Sequence, residues 1–143
     1  MSRHPGKSAY LALLLCALAL TGCASIERAG CPTGLSPAQS VEMIFGRNIG
    51  AASTVSDADW ARFVDAEIMP RFPDGFTVFE ASGQWRARDG TAVRERSQVL
   101  LLVVTGAMNI GIEQKLDEIR QTYRQRFKQQ SVLVLIGRDC AGF

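Results

Sequence analysis

The residues of this chain with chemical potential gather between positions 71 and 98. Arg94, Arg96 and Gln98 occupy alternate positions, and alternate residues of a strand point to one face, so two guanidiniums and an amide would stand in a row. Trp85 lies upstream, and Arg71 further upstream still. An indole beside such a row makes a cationic, aromatic surface suited to a carboxylate or another anion, through charge-assisted hydrogen bonds and cation–π contact. Ordinary surface salt bridges account for the same charges and are the competing reading. Glu80 and Glu95 are the acid/base candidates, and two carboxylates brought close would perturb each other's titration.

Other chemistries drop out. The single histidine, His4, lies in an N-terminal leader, so the mature chain can build neither a Ser-His or Cys-His relay nor a histidine metal site. Asp57 and Asp59 lack the further oxygen ligands and turn glycine of a calcium loop, and they read as helix capping. No metal is expected. No phosphate loop or dinucleotide fingerprint follows a strand, so no cofactor is expected either. The formal charge of +2 includes Arg3 and Lys7 of the leader; without them fourteen basic residues face fourteen acidic ones, and nothing remains to attract nucleic acid.

The leader has a basic start, Arg3 and Lys7, and an unbroken apolar run of 12 residues, Ala9–Leu20. A bilayer core about 30 Å thick needs roughly 20 apolar residues, so this run signals export and does not span. It ends in Leu20-Thr21-Gly22-Cys23, which resembles the lipobox of bacterial lipoproteins. That resemblance implies cleavage before Cys23, acylation of Cys23 and durable attachment to a membrane. Ala24, in place of aspartate, implies delivery to the periplasmic face of the outer membrane. Cys16 departs with the leader and Cys23 carries lipid, leaving Cys31 and Cys140, which in an exported chain usually pair. Two buried thiols or a metal pair are the alternative, and further ligands for a metal are missing. The expected organisation is a signal peptide over 1–22, a lipidated cysteine and flexible tether over 23–37, and a single domain over 38–143.

Within that domain, Val41, Met43 and Phe45 alternate with polar positions as a strand does. Ser56 caps a helix that carries Trp60, Phe63, Val64 and Ile68 on one side and stops at Pro70. A strand over Phe76–Ser82 follows the Pro73-Asp74-Gly75 turn. Asp89-Gly90 reads as a two-residue hairpin turn leading into the strand Ala92–Thr105. Gly83-Gln84-Trp85 reads as a bulge with a packing tryptophan. If Arg88 faces Thr91, then Trp85, Arg94, Arg96 and Gln98 share a face with Phe79 and Leu100. Glu80, Gln84, Glu95 and Ser97 then share the other with Val78 and Leu101, and a slip of one residue would exchange every partner. Asn109 caps a second helix with Ile112, Leu116, Ile119, Tyr123 and Phe127 at helical spacing. Its acids come early and its bases late, as the helix dipole favours. Ser131–Ile136 is an apolar strand expected to be central or well covered. The order predicts an α+β, ferredoxin-like βαββαβ fold, with two helices on one face of a four-stranded antiparallel sheet. It makes the first and last strands neighbours, which would bring Cys31 towards Cys140.

The segment VSDADWARFVDAEIMPRFPDGFTVFEASGQWRARDG, with VRERSQVLLLV and IRQTYRQRFKQQSVL, resembles the bacterial exported family known as domain of unknown function 3574. The resemblance runs from Val41 to Val134 and implies an exported location and a shared fold, with no activity attached. The expected function is a membrane-anchored small-ligand-binding or protein-interaction module, whose uncovered sheet face pairs with a second copy or takes a ligand. The alternatives are a cofactor-independent enzyme of the dimeric α+β barrel type, with a Glu80 or Glu95 base and an Arg94 or Arg96 anion stabiliser, and a purely structural envelope lipoprotein.

Overall fold

The computed structural model describes residues 30–50 and 53–143. The leader, Cys23 and residues 24–29 of the tether lie outside the described residues.

β1 (Ser36–Gly46) extends the alternation of Val41, Met43 and Phe45, each fully buried, into an 11-residue strand. A short hairpin of β2 (Asn48–Ile49) and β3 (Ser53–Thr54) follows, then α1 (Asp57–Phe63). Ser56 caps α1 by accepting a hydrogen bond from the Asp59 amide at 3.1 Å. The helix then widens into a π-turn over Val64–Ile68, where the Met69 amide donates to the Val64 carbonyl at 2.9 Å. β4 (Thr77–Arg86) and β5 (Ala92–Thr105) form a long hairpin. α2 (Ile110–Arg126) is capped by Asn109, whose side chain accepts from the Ile112 amide at 3.1 Å. β6 (Leu133–Ile136) and β7 (Asp139–Ala141) close the chain. No described helix is long and apolar enough to cross a membrane.

The main sheet is five-stranded and antiparallel, in the order β4-β5-β1-β6, with β7 pairing the first residues of β1. Both helices contribute to one core laid against one face of it. Val41, Met43, Phe45, Leu100 and Leu102 come from the sheet, Trp60 and Phe63 from α1, and Leu116, Ile119 and Tyr123 from α2. Its centre is aromatic: the Tyr123 ring lies 4.8 Å from Phe45 and 5.0 Å from Phe63, both edge-on. Cys31 and Cys140 form a disulfide, with Cα atoms 5.6 Å apart, where β7 joins the start of β1.

The sheet has one strand more than the four expected, because Asp139–Ala141 adds β7 alongside the start of β1. Three further expectations are corrected. The β4–β5 turn has three residues, Arg88, Asp89 and Gly90, because the Ala87 amide donates to Thr91 and the Gly90 amide donates back to Ala87, both at 2.9 Å. Gly90 takes the left-handed conformation this loop demands, with φ 88°. The pairing is therefore shifted by one residue: Trp85 faces Val93, Gln84 faces Arg94, Gly83 faces Glu95, and Glu80 faces Gln98. Second, β4 runs unbroken through Gly83-Gln84-Trp85, with no bulge. Third, β6 lies at the sheet edge, with Leu133, Leu135 and Ile136 each about half exposed. An apolar run fits an edge strand as readily as a central one when its side chains have somewhere else to go.

Candidate functional site

β5 pairs with β1 only from Ser97 to Thr105, yet with β4 from Ala92 to Leu101, so Ser82–Arg86 and Ala92–Arg96 project past β1 as a two-stranded arm. The base of this arm is the polar end of the sheet. There the inward alternation Val41, Met43, Phe45 reaches Arg47, which is 4% exposed. Its Nε and Nη2 donate to the Val55 carbonyl at 2.8 and 2.5 Å, and Nη2 lies 2.6 Å from Asp57 Oδ1. Nη1 is buried and has no hydrogen-bond partner among the described residues; it lies 4.0 Å from Glu80 Oε1. The backbone holds the residue as firmly: the Arg47 amide donates to the Arg96 carbonyl at 3.0 Å, and the Val55 amide to the Arg47 carbonyl at 2.8 Å.

The one-residue shift decides which candidates meet. Glu80 joins Arg94, Arg96 and Gln98 on the helix-covered side of the sheet, and both its oxygens accept from Arg96 Nη2 at 2.9 Å. Gln98, directly opposite Glu80, is 5% exposed. Trp85 lies on the other face with Val93 and Phe79 and is 48% exposed, so the stack of Trp85 on Arg94 does not form. Glu95 also sits on that other face, where its carboxylate folds over Gly46 and accepts from the Asn48 amide at 3.0 Å. A Cβ at position 46 would stand 2.6 Å from Glu95 Oε1, so glycine there leaves room for the carboxylate. The two glutamates are thus separated by the sheet and do not form a carboxylate pair. Arg71 belongs elsewhere: it is bound by Glu67 and Glu118, each at 3.1 Å.

α2 and the residues just after it close the site from the core side. Tyr123 donates its hydroxyl to the Gly46 carbonyl at 2.9 Å, and Gln129 donates to the Asn48 carbonyl at 2.7 Å. Burial pushes the Tyr123 phenol well above its ordinary value, the Glu95 charge adds to the shift and the Arg47 cation opposes it. The phenol is a fixed hydrogen-bond donor and no acid/base group near neutrality.

Chemically, the cluster is an ion-pair network open to solvent at Arg96, Glu80 and Asp57. Arg96 and Glu80 are about 60% exposed and exchange readily with solvent, whereas Arg47 and Gln98 behind them are fixed and dry. An incoming polar group that displaces Glu80 from Arg96 gains a guanidinium already oriented by the sheet. Arg47 was not singled out from the sequence, although the parity of Val41, Met43 and Phe45 points it inward.

Among the described residues, nothing covers the opposite face of the sheet. Phe79 on β4, Val103 on β5 and Leu133 and Leu135 on β6 all point to it, each 45–52% exposed, across a floor that includes Ile44 and Val99.

The chain is similar to solved structures. A phage SAM lyase in complex with S-methyl-5'-thioadenosine is 21% identical, with TM-score 0.57 over 82% of this chain and 95% of that one. The same phage SAM lyase without ligand gives TM-score 0.53 at 21% identity, over 81% of this chain and 92% of that one. CutA from Synechococcus elongatus gives TM-score 0.47 at 10% identity, over 75% and 81%. No curated protein matches the chain. The profile of the protein family of unknown function DUF3574 matches residues 40–143, and the chain belongs to that family.

Proposed function

We propose that the chain is an exported, lipid-anchored envelope protein of the periplasmic face of the outer membrane, and that its ferredoxin-like domain is an interaction module pairing with a second copy through the bare sheet face. One observation carries the pairing: three strands present four exposed large apolar side chains, Phe79, Val103, Leu133 and Leu135, on a surface that neither described helix covers. A contiguous exposed apolar patch is a liability for an isolated monomer and an asset for an interface. A two-fold contact needs only this one self-complementary patch. The β1–β6 neighbour relation and the placement of both helices against one face support the ferredoxin-like reading. The anchor rests on the Leu20-Thr21-Gly22-Cys23 motif after an apolar run of 12 residues.

Sedimentation of the domain from Ala24 onward tests the pairing, with Phe79→Lys and Leu135→Lys as variants that place a charge on the face. A concentration-dependent dimer that both variants dissociate supports it; a monomer at all concentrations counts against it. The intact mass of the mature full-length protein tests the anchor, because acylated Cys23 adds lipid mass and a plain cleavage product adds none.

A second reading draws on the likeness to a phage SAM lyase. On it the polar end is a small-molecule site, with Arg96 and Gln98 holding a polar ligand and Glu80 released from Arg96 to act as a base. Incubation of the domain with SAM separates the two. Consumption that Glu80→Gln abolishes favours the enzyme; no consumption favours the interaction module.

A further inference from the structure

The end of the sheet opposite the Arg47 cluster holds a cavity of about 800 Å³ between the 70–77 turn, the last residues of β5 and the first turns of α2. That volume is within the usual range for small-molecule sites, about 300–1,000 Å³. Phe72, Phe76, Val104 and Ile112 line it, and all four also pack on the hydrophobic core, so its floor is continuous with the dry interior. Lys115 stands in its wall: its ammonium donates to the Arg71 carbonyl at 3.1 Å and lies 5.7 Å from the centre of the Phe72 ring. An ammonium has three donor hydrogens, and among the described residues Lys115 uses one, which leaves two for an acceptor. Of the other charged lining residues, Arg71 is bound by Glu67 and Glu118, and Asp74 belongs to the turn.

The cavity also lies at the end of the sheet that holds Cys31. Its lining includes Thr105, which pairs with Ala38, and Phe143, three residues beyond the disulfide-bonded Cys140. Cys31, held at that same end, follows Cys23 by eight residues.

We propose that this cavity binds the acyl chain of a single-chain anionic amphiphile, with the head group at Lys115, and that the ligand comes from the bilayer to which Cys23 is anchored. Apolar walls rooted in the core favour a hydrocarbon chain, and one cation with spare donors beside an aromatic ring favours a carboxylate or phosphate head over a neutral one. Only the bilayer origin of the ligand rests on the anchoring proposed above.

The test is calorimetric titration of dodecanoate into the domain from Ala24, whose core and disulfide lie wholly within residues 31–143. One saturable site per chain is expected. Ile112→Trp, which fills the cavity, should abolish binding, and circular dichroism reports whether that variant folds. Lys115→Gln changes a surface side chain, and should weaken dodecanoate about tenfold while leaving the neutral dodecanoyl glycerol ester unchanged. No saturable binding, or binding indifferent to both substitutions, overturns the site. Because this chain lacks Cys23, that result is independent of anchoring, which the mature mass reads separately. The acylated mature protein should bind dodecanoate equally well; if only the unacylated domain binds, the occupant is the chain's own acyl group and an external ligand is overturned.

Discussion

Arg47 Nη2 lies 2.6 Å from Asp57 Oδ1, which ties the last inward residue after β1 to the first turn of α1. The two ends of this contact differ in environment: the Arg47 side chain is 5% exposed and that of Asp57 is 81% exposed. The energetic weight therefore falls on the hydrogen bonds from Arg47 to the buried Val55 carbonyl.

Arg47→Met should lower unfolding stability by about 2–3 kcal/mol, since it removes a charged donor and leaves that carbonyl unpaired. Asp57→Asn should cost under about 1 kcal/mol, as exposed ion pairs do. Urea denaturation of the two variants checks the ranking, and equal losses would contradict it.

Alkaline stability should depend on Tyr123. Its folded pKa is raised, so its contribution is fully present below the unfolded phenol value, about pH 10, and is lost as pH rises from there towards the folded value. Tyr123→Phe gives up the hydrogen bond to the Gly46 carbonyl, costing about 1 kcal/mol at pH 7, and should flatten the decline above pH 10. Thermal melts from pH 7 to 11 read both effects.

The Cys31–Cys140 bond closes a sequence separation of 109 residues. Loss of so long a loop closure should cost about 4–5 kcal/mol in Cys140→Ser, by the chain-entropy estimate. Neither thiol should react with iodoacetamide before reduction, and labelling of both in the unreduced, folded protein would contradict the pairing.

Gly90→Ala should destabilise by about 1 kcal/mol, because φ 88° is costly for any residue with a Cβ while nothing lies within 4 Å of the added atom. A larger loss, with slowed folding, would mean that the turn also helps to set the β4–β5 register.

Both helices were legible in the sequence because their signals are local: Ser56 and Asn109 cap where expected, and Leu116, Ile119 and Tyr123 recur on the buried side. The pairing of β4 with β5 was not. Asp89-Gly90 suits both a two-residue and a three-residue loop, and the choice turns on one hydrogen bond, from Gly90 to Ala87. That single residue moved Glu80 beside Arg96 and Trp85 away from Arg94. The burial of Arg47 escaped for a related reason, since its partners Val55, Asp57 and Glu80 reach it only through the tertiary fold. The edge position of β6 was hidden because apolar side chains facing an uncovered surface look, in sequence, like side chains facing a core.

Those apolar side chains are the centre of the account, and sedimentation velocity of the domain across a hundredfold concentration range tests it most directly. The predicted result is a reversible dimer that Leu135→Lys converts to a folded monomer. A monomer at every concentration, with Leu135→Lys indistinguishable from the unaltered domain, would contradict pairing through the bare sheet face.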